Sequence, residues 1–273
     1  MTDRYAVFGN PLSHTKSPLI HMSFAQGAGE DIDYGKVEAP LDDFAGAIAA
    51  FRAGGGRGAN VTLPFKLEAC AIATTLMPRA KAAGAANCLK FEGEAIIAEN
   101  FDGLGLVRDI EVNLGVPMKG LNVLLLGAGG AARGALIPFL EAAPGALTLV
   151  NRTVDKALGL RRDFAPYGAF AAGGYDALAG RSFDVVVNAT SASLTGALPP
   201  VPPEVFDGAA LAYDLVYGKG LTPFLTLARA RGVPRLADGV GMLVEQAAEA
   251  FAWWRGVRPA TRPVIDALTV PLV

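Results

Sequence analysis

Two kinds of residue pattern in this chain could do chemistry. The first is Gly127-Ala128-Gly129-Gly130-Ala131-Ala132, a G-x-G-x-x-A run behind the apolar stretch 121–126 and ahead of helix-forming residues to Ala142. Strand, glycine turn and helix in that order form the context in which such a run holds a dinucleotide. Gly127 permits the tight turn, Gly129 lets a pyrophosphate approach the backbone, and Ala132 is small enough for close helix–strand packing. The free amides at the helix start meet the phosphates. The next strand, 146–150, ends in Asn151-Arg152-Thr153, with Lys156 one helical turn further on. No Asp or Glu stands there to bind a ribose 2′-hydroxyl, as an NAD site would have. A guanidinium instead meets a 2′-phosphate with a charge-assisted, bidentate bond, so the expected cofactor is NADP. The competing reading makes Arg152 and Lys156 solvated surface charges.

The second kind is a set of polar residues at element ends. Leu12-Ser-His-Thr15-Lys-Ser17 lies between a short apolar strand and Pro18, which begins a helix. Hydroxyls and a cation there suit an anionic or polyhydroxylated ligand. Ser17 is also a good N-cap, and that simpler reading stays open. Lys66 follows Pro64-Phe65 where a helix can begin. A cation at that end of a helix opposes the dipole, and local rules tend to break at functional sites. An ordinary surface lysine is the alternative. Asp102, after Asn100-Phe101, stands where a helix cap belongs, so it reads either as a cap or as an acid with a task.

These residues need elements to carry them. Strands are expected at 5–8, 34–38, from 59 into a turn at 66, from 85, and at 95–98, with helices at 18–27, 41–53, 79–84 and 104–114. That alternation is an α/β domain in its own right. Beyond the glycine turn come strands at 184–188, 211–216 and 234–236, and helices at 222–231 and 243–254. Leu198-Pro-Pro-Val-Pro-Pro reads as a rigid surface connection. Trp253 and Trp254 read as packing residues.

With 273 residues, about 110 of them ahead of the first nucleotide-binding strand, two domains are expected. The formal net charge of −2 offers nucleic acid or an anionic membrane no general attraction. No apolar run approaches the roughly 18 residues of a membrane span. No signal peptide is visible, and Cys70 and Cys88 are the only cysteines, so reduced thiols in a cytoplasmic protein are expected. The two cysteines with His14 and His21 lack metal-ligand spacing, and no metal site is expected.

Taken together, the loops resemble one family over essentially the whole chain. Gly9-Asn-Pro-Leu-Ser-His-Thr-Lys-Ser17-Pro, Asn60-Val-Thr-Leu-Pro-Phe-Lys66, Gly84-Ala-Ala-Asn87, Asn100-Phe-Asp102-Gly, the glycine turn, Asn151-Arg-Thr, Asn188-Ala-Thr-Ser and Asp238-Gly-Val-Gly-Met242-Leu-Val-Glu-Gln246 occur in the order seen in shikimate dehydrogenases. The resemblance implies a substrate domain (1–101 plus 240–273) and a Rossmann NADP-binding domain (102–239), both α/β, with the ligands meeting in the cleft between them. It implies reversible, NADPH-dependent reduction of 3-dehydroshikimate to shikimate on the route to chorismate and the aromatic amino acids, by a monomer or homodimer. Lys66 and Asp102 match the family's catalytic pair, with the proton donor between them left open. Thr15, Ser17, Asn60, Thr62, Asn87, Phe101, Tyr217 and Gln246 fall on substrate-side positions. Gly127, Ala128, Gly129, Gly130, Ala131, Asn151, Arg152, Thr153, Lys156, Thr190, Leu215, Gly239 and Met242 fall on the cofactor side. Three residues depart from the pattern: Thr15 for a serine, Phe101 for a threonine and Ser193 for a glycine. Phe101 in particular raises a quinate/shikimate paralogue as an alternative, and exchanging it for Thr is then expected to lower the Michaelis constant for shikimate. A catalytically idle NADP-binding sensor is a further alternative, against which the retained Lys66 and Asp102 stand.

Overall fold

A computed structural model describes residues 2–272, and the chain divides into two compact units. Among the described residues the first comprises 2–102 and 244–264, the second 103–243 and 265–272.

In the first unit, strands and helices alternate as β1 (Asp3–Gly9), α1 (Ser17–Ala28), β2 (Ile32–Glu38), α2 (Phe44–Ala53), β3 (Gly56–Val61), α3 (Lys66–Ala71), β4 (Thr75–Leu76), α4 (Pro78–Ala83), β5 (Cys88–Glu92) and β6 (Ala95–Glu99). They form one mixed sheet in the order β2-β1-β3-β5-β6-β4. β1 runs parallel to both β2 and β3, and β5 runs antiparallel to β3 and β6. Ala6, Phe8, Ala59, Val61 and Leu89 from these strands pack with Phe44, Ile48 and Phe65 in one core. The helix expected from residue 41 begins at Phe44, because Asp43 caps it, accepting the Gly46 amide at 2.9 Å. The strand expected from residue 85 begins at Cys88, and Asn87 at its lead-in is held by its backbone on both sides, accepting the Val61 amide at 2.8 Å and donating to the Glu99 carbonyl at 3.1 Å.

The second unit opens with α5 (Asp102–Arg108), which passes into one π-helical turn, 109–113, in place of the single helix expected over 104–114. The buried side chain of Asp109 in that turn accepts the Tyr213 hydroxyl at 2.8 Å. Then follow β7 (Asn122–Leu126), α6 (Gly130–Glu141), β8 (Ala146–Val150), α7 (Val154–Phe164), β9 (Ala171–Gly173), β10 (Val185–Asn188), β11 (Leu211–Asp214), α8 (Pro223–Ala230) and β12 (Leu236–Asp238), and after them α9 (Val240–Arg255) and α10 (Arg262–Leu268), whose residues 244–255 and 262–264 belong to the first unit. The sheet is parallel throughout in the order β12-β11-β10-β7-β8-β9. That is the doubly wound dinucleotide-binding order. β12 lies two residues later than expected because pairing with β11 selects Leu236–Asp238. α9 begins at Val240, three residues early, since the Asp238 carboxyl accepts the Val240 amide at 3.1 Å. The proline-rich stretch runs along the surface, with Leu198, Pro200 and Pro203 exposed, but it is pinned inward at Val201, which joins Val205, Phe206 and Phe224 in the unit's core.

Candidate active site

Lys66 is the first residue of α3, where a turn through Thr62 and a cis Leu63–Pro64 bond deliver it from the end of β3. Its ammonium pairs with Asp102 Oδ2. Only 28% of the lysine side chain and 15% of the aspartate side chain are exposed, so solvent screens the pair less than it would a surface one. Asp102 opens α5, but its side chain does not cap that helix. Asn100 Oδ1 takes the capping role by accepting the Asp102 amide at 3.1 Å, and Asn100 Nδ2 donates to the Ala85 carbonyl at 3.0 Å. The Asp102 carboxyl is thereby released for Lys66 and for Asn87, whose Nδ2 donates to Asp102 Oδ1 at 2.7 Å and to Gln246 Oε1 at 3.0 Å. Asn87 Oδ1 in turn accepts the Phe101 amide at 2.9 Å. Those three bonds leave the Asn87 amide one orientation, since a flip would set its oxygen against two acceptors. Lys66, Asn87, Asp102 and Gln246 are therefore brought together in the first unit, as an ammonium beside an oriented carboxyl.

Ser17 does not cap α1 either. Lys16 holds the cap position with no side-chain bond, and the Ser17 hydroxyl accepts from Thr15 Oγ1 at 3.2 Å. Asn60, one residue before the end of β3, has its Oδ1 accepting the Tyr34 hydroxyl at 2.6 Å and its Nδ2 reaching the Asn87 carbonyl at 3.4 Å. Thr62 donates its backbone amide to Phe8 at 2.8 Å and leaves its side-chain hydroxyl without a hydrogen bond among the described residues. The Phe101 ring is 4% exposed, meets Trp253 edge-on at 5.7 Å and lies under the Arg79 guanidinium at 5.7 Å, so its neighbours in this structure are packing partners. Trp253 and Trp254 pack as expected, Trp254 donating to the Leu89 carbonyl at 3.0 Å and stacking on Tyr5.

In the second unit, Gly127 turns with φ +109, and a Cβ there would lie 3.1 Å from the Ala189 carbonyl oxygen. Gly129 caps α6 with no side-chain bond, and a Cβ on Gly129 or Gly130 would meet nothing within 4 Å. Ala128 is half-buried and Ala131 exposed at the same helix start. Open space over unpartnered first-turn amides fits a pyrophosphate. Ala132 is fully buried against the sheet. At the end of β8, Asn151 Nδ2 donates to the Thr153 carbonyl at 2.9 Å, and Arg152 and Lys156 are exposed with no side-chain hydrogen bond or ion pair among the described residues. No acid stands at 151–153, the nearest in sequence being the exposed Asp155 in the first turn of α7, and two cations without an ion pair among the described residues fit a 2′-phosphate. Asn188 Oδ1 accepts both the amide and the hydroxyl of Thr190, at 3.1 and 2.7 Å. Gly239 lies on the Leu215 carbonyl, which a Cβ would approach to 2.2 Å, and the Met242 amide donates to the Tyr213 hydroxyl at 3.2 Å. Tyr217 sits on the loop after β11, 42% exposed. Burial first, and then the Asp238 charge, raise its hydroxyl pKa.

Sequence reasoning passed over four groups that organise these residues. Asn100 carries a local signal, an asparagine two residues before a helix start. Tyr34, Asp214 and Thr222 carry none, because each meets its partner across the fold: Tyr34 meets Asn60, and Asp214 accepts from Ser193, Asn188 and Thr222.

Residues 7–89 match the family model of the shikimate dehydrogenase substrate binding domain, and residues 239–269 that of the shikimate 5′-dehydrogenase C-terminal domain. The chain is 57% identical over 268 residues to a shikimate dehydrogenase (NADP(+)) from Nitrosospira multiformis, covering 98% of both chains. Among solved structures it is similar to an Ael1 enzyme from Pseudomonas putida, with 61% identity, TM-score 0.97 and all of both chains covered. It is also similar to shikimate 5-dehydrogenase from Thermus thermophilus in complex with NADP(H) and shikimate, with 31% identity, TM-score 0.87 and 98% of both chains covered.

Proposed function

This chain belongs to the shikimate dehydrogenase family, and we propose that it catalyses the reversible, NADP-dependent reduction of 3-dehydroshikimate to shikimate. The observation that carries this reading is the Lys66–Asp102 pair, held in one orientation by Asn87 and Asn100. NADPH, when bound, supplies the hydride that reduces the carbonyl carbon. The carbonyl oxygen then gains alkoxide character and needs both charge stabilisation and a proton. The Lys66 ammonium stabilises that charge, and the Lys66–Asp102 pair delivers the proton to the oxygen. Asp102 keeps Lys66 in place, and Asn87 keeps Asp102 in place. Thr15, Ser17, Asn60, Thr62 and Gln246 offer hydroxyl and amide groups suited to the hydroxyls and carboxylate of the substrate. The amides from Gly127 to Ala131 hold the pyrophosphate, and Arg152 with Lys156 holds the 2′-phosphate. We assign the substrate to the first unit and NADP to the second. The same reading makes the protein a cytoplasmic biosynthetic enzyme that acts on a small molecule as a monomer or homodimer.

The test is NADPH absorbance with purified protein, crossing shikimate and quinate with NADP and NAD, and with Lys66→Ala alongside. Turnover is expected with shikimate and NADP, and the variant's kcat should fall by about 10²- to 10⁴-fold. A preference for quinate or NAD, or an undiminished rate in the variant, would overturn the proposal.

A further inference from the structure

Asp214, the last residue of β11, is fully buried, and the hydrogen bonds to its carboxyl group come from four neutral donors. Oδ1 accepts from Asn188 Nδ2 and from the Val216 amide, each at 3.2 Å. Oδ2 accepts from the Ser193 hydroxyl at 2.6 Å and the Thr222 hydroxyl at 2.7 Å. The donors lie on four segments: the end of β10, the loop after it, the loop after β11, and the cap of α8. Such a group is costly to leave under-partnered, so it acts as a hub that fixes those segments relative to each other.

Ser193 is the one donor on the loop 189–196. It is 2% exposed, and besides donating to Asp214 it accepts from Asn188 Nδ2 at 3.2 Å. The same loop carries Thr190, tied at its start to Asn188 Oδ1. Ser193 adds a second anchor at the middle of the loop, in a short helical turn, 192–195, and Lys219 Nζ adds an exposed third by donating to the Leu194 carbonyl at 2.7 Å. A glycine here, which the family resemblance leads one to expect, would have no side chain to make it. The loop leaves the C-terminal end of a parallel strand, where doubly wound sheets bind their ligands.

We propose that Ser193 is a positioning residue of the cofactor site. By bonding to Asp214 it orders the loop 189–196 before NADP arrives and presents Thr190 in its binding conformation. A loop ordered in advance loses less freedom on binding, and affinity rises accordingly. The inference rests on the assignment of NADP to this unit.

Calorimetric titration of the full-length protein with NADP⁺ tests it, using the native chain, Ser193→Ala and Thr222→Val. Thr222 donates to the same oxygen but from the cap of α8, so it controls for the mere loss of a donor to Asp214. Ser193→Ala is expected to weaken NADP⁺ binding about tenfold while leaving kcat at saturating NADP⁺ and the Michaelis constant for shikimate unchanged. Thr222→Val is expected to lower the unfolding midpoint and leave NADP⁺ affinity near the native value. A Ser193→Ala affinity within about twofold of native, or an equal loss in both variants, overturns the proposal. Hydrogen exchange on the native chain gives a readout even if the variant fails to fold. Amides of 192–197 should exchange equally slowly with and without NADP⁺, and protection that arises only on NADP⁺ addition overturns the pre-ordering. Failure of the native chain to bind NADP⁺ at all would instead sink the functional reading beneath it.

Discussion

Asp102 is useful to Lys66 because other groups do the work its position would ordinarily demand. A helix-opening aspartate normally spends its side chain on backbone amides. Here Asn100 accepts the Asp102 amide, and both carboxyl oxygens turn to side chains, one to Lys66 and one to Asn87. Earlier in the same stretch, Glu99 works differently. It is 2% exposed and accepts from Arg79 at 2.8 Å and from the Asn100 amide at 2.7 Å, which fixes the approach to Asp102. Burial outweighs these contacts and raises its pKa. Phe101 lies between them as filling. Phe101→Thr is therefore expected to cost roughly 3 kcal/mol of stability through the cavity it leaves against Trp253, read as a lower urea midpoint. The family resemblance by itself points instead to a lower Michaelis constant for shikimate. A variant that kept native stability and bound shikimate more tightly would restore Phe101 to the substrate side.

At the scale of elements, close backbone approach is the recurring device. Gly103 on α5 faces the second turn of α6, and a Cβ there would stand 2.3 Å from the Gly134 carbonyl oxygen and 2.6 Å from Ala135 Cα. Both obstacles are backbone, so neither can swing aside as a flexible side chain would. Gly103→Ala is expected to destabilise the protein by about 1–3 kcal/mol and, by shifting α6, to weaken NADP binding as well. An unfolding midpoint equal to the native one would mean that the two helices separate at no cost. The glycine turn before α6 shows the complementary case. Gly127 is needed for its positive φ, whereas Gly129 and Gly130 leave room above the helix start.

For the molecule as a whole, each unit has its own core, and one buried group makes stability depend on pH. His21 is fully buried, stacks on Tyr34 at 4.2 Å and 5°, and has no hydrogen-bond partner for either ring nitrogen among the described residues. Burial pushes its pKa down to about 3, against a smaller opposing pull from nearby Asn60. The unfolded chain takes up a proton near pH 6.5 that the folded chain refuses until about pH 3, so the unfolded state binds more protons across that window. Stability therefore falls as pH drops below about 6.5, at roughly 1.4 kcal/mol per pH unit from this residue. His21→Phe keeps a ring for Tyr34 to stack on and cannot titrate. Glu99 and Asp238 have raised pKa values and act with the opposite sign, but they are common to both chains and cancel in the comparison. Urea midpoints between about pH 5 and 6.5 should fall for the native chain and stay flatter for the variant. Parallel profiles would show that His21 does not set the acid limit.

Short windows of sequence were enough to read the glycine turn between an apolar strand and a helix, the cation-bearing strand end at Arg152 and the alternation of strands and helices. Each depends on residues within a few positions of one another, because backbone conformation and helix termini follow from local chemistry. Which side chains meet was settled only by folding. Asn87 and Gln246 lie 159 residues apart in the chain and 3.0 Å apart in space. The order of the mixed sheet, the later start of β12, the burial of Val201, the edge-on contact of Phe101 with Trp253 and the bond from Ser193 to Asp214 likewise depend on partners far away in sequence. Such partners are chosen by packing and by the need to satisfy buried polar groups, and no local pattern carries that information.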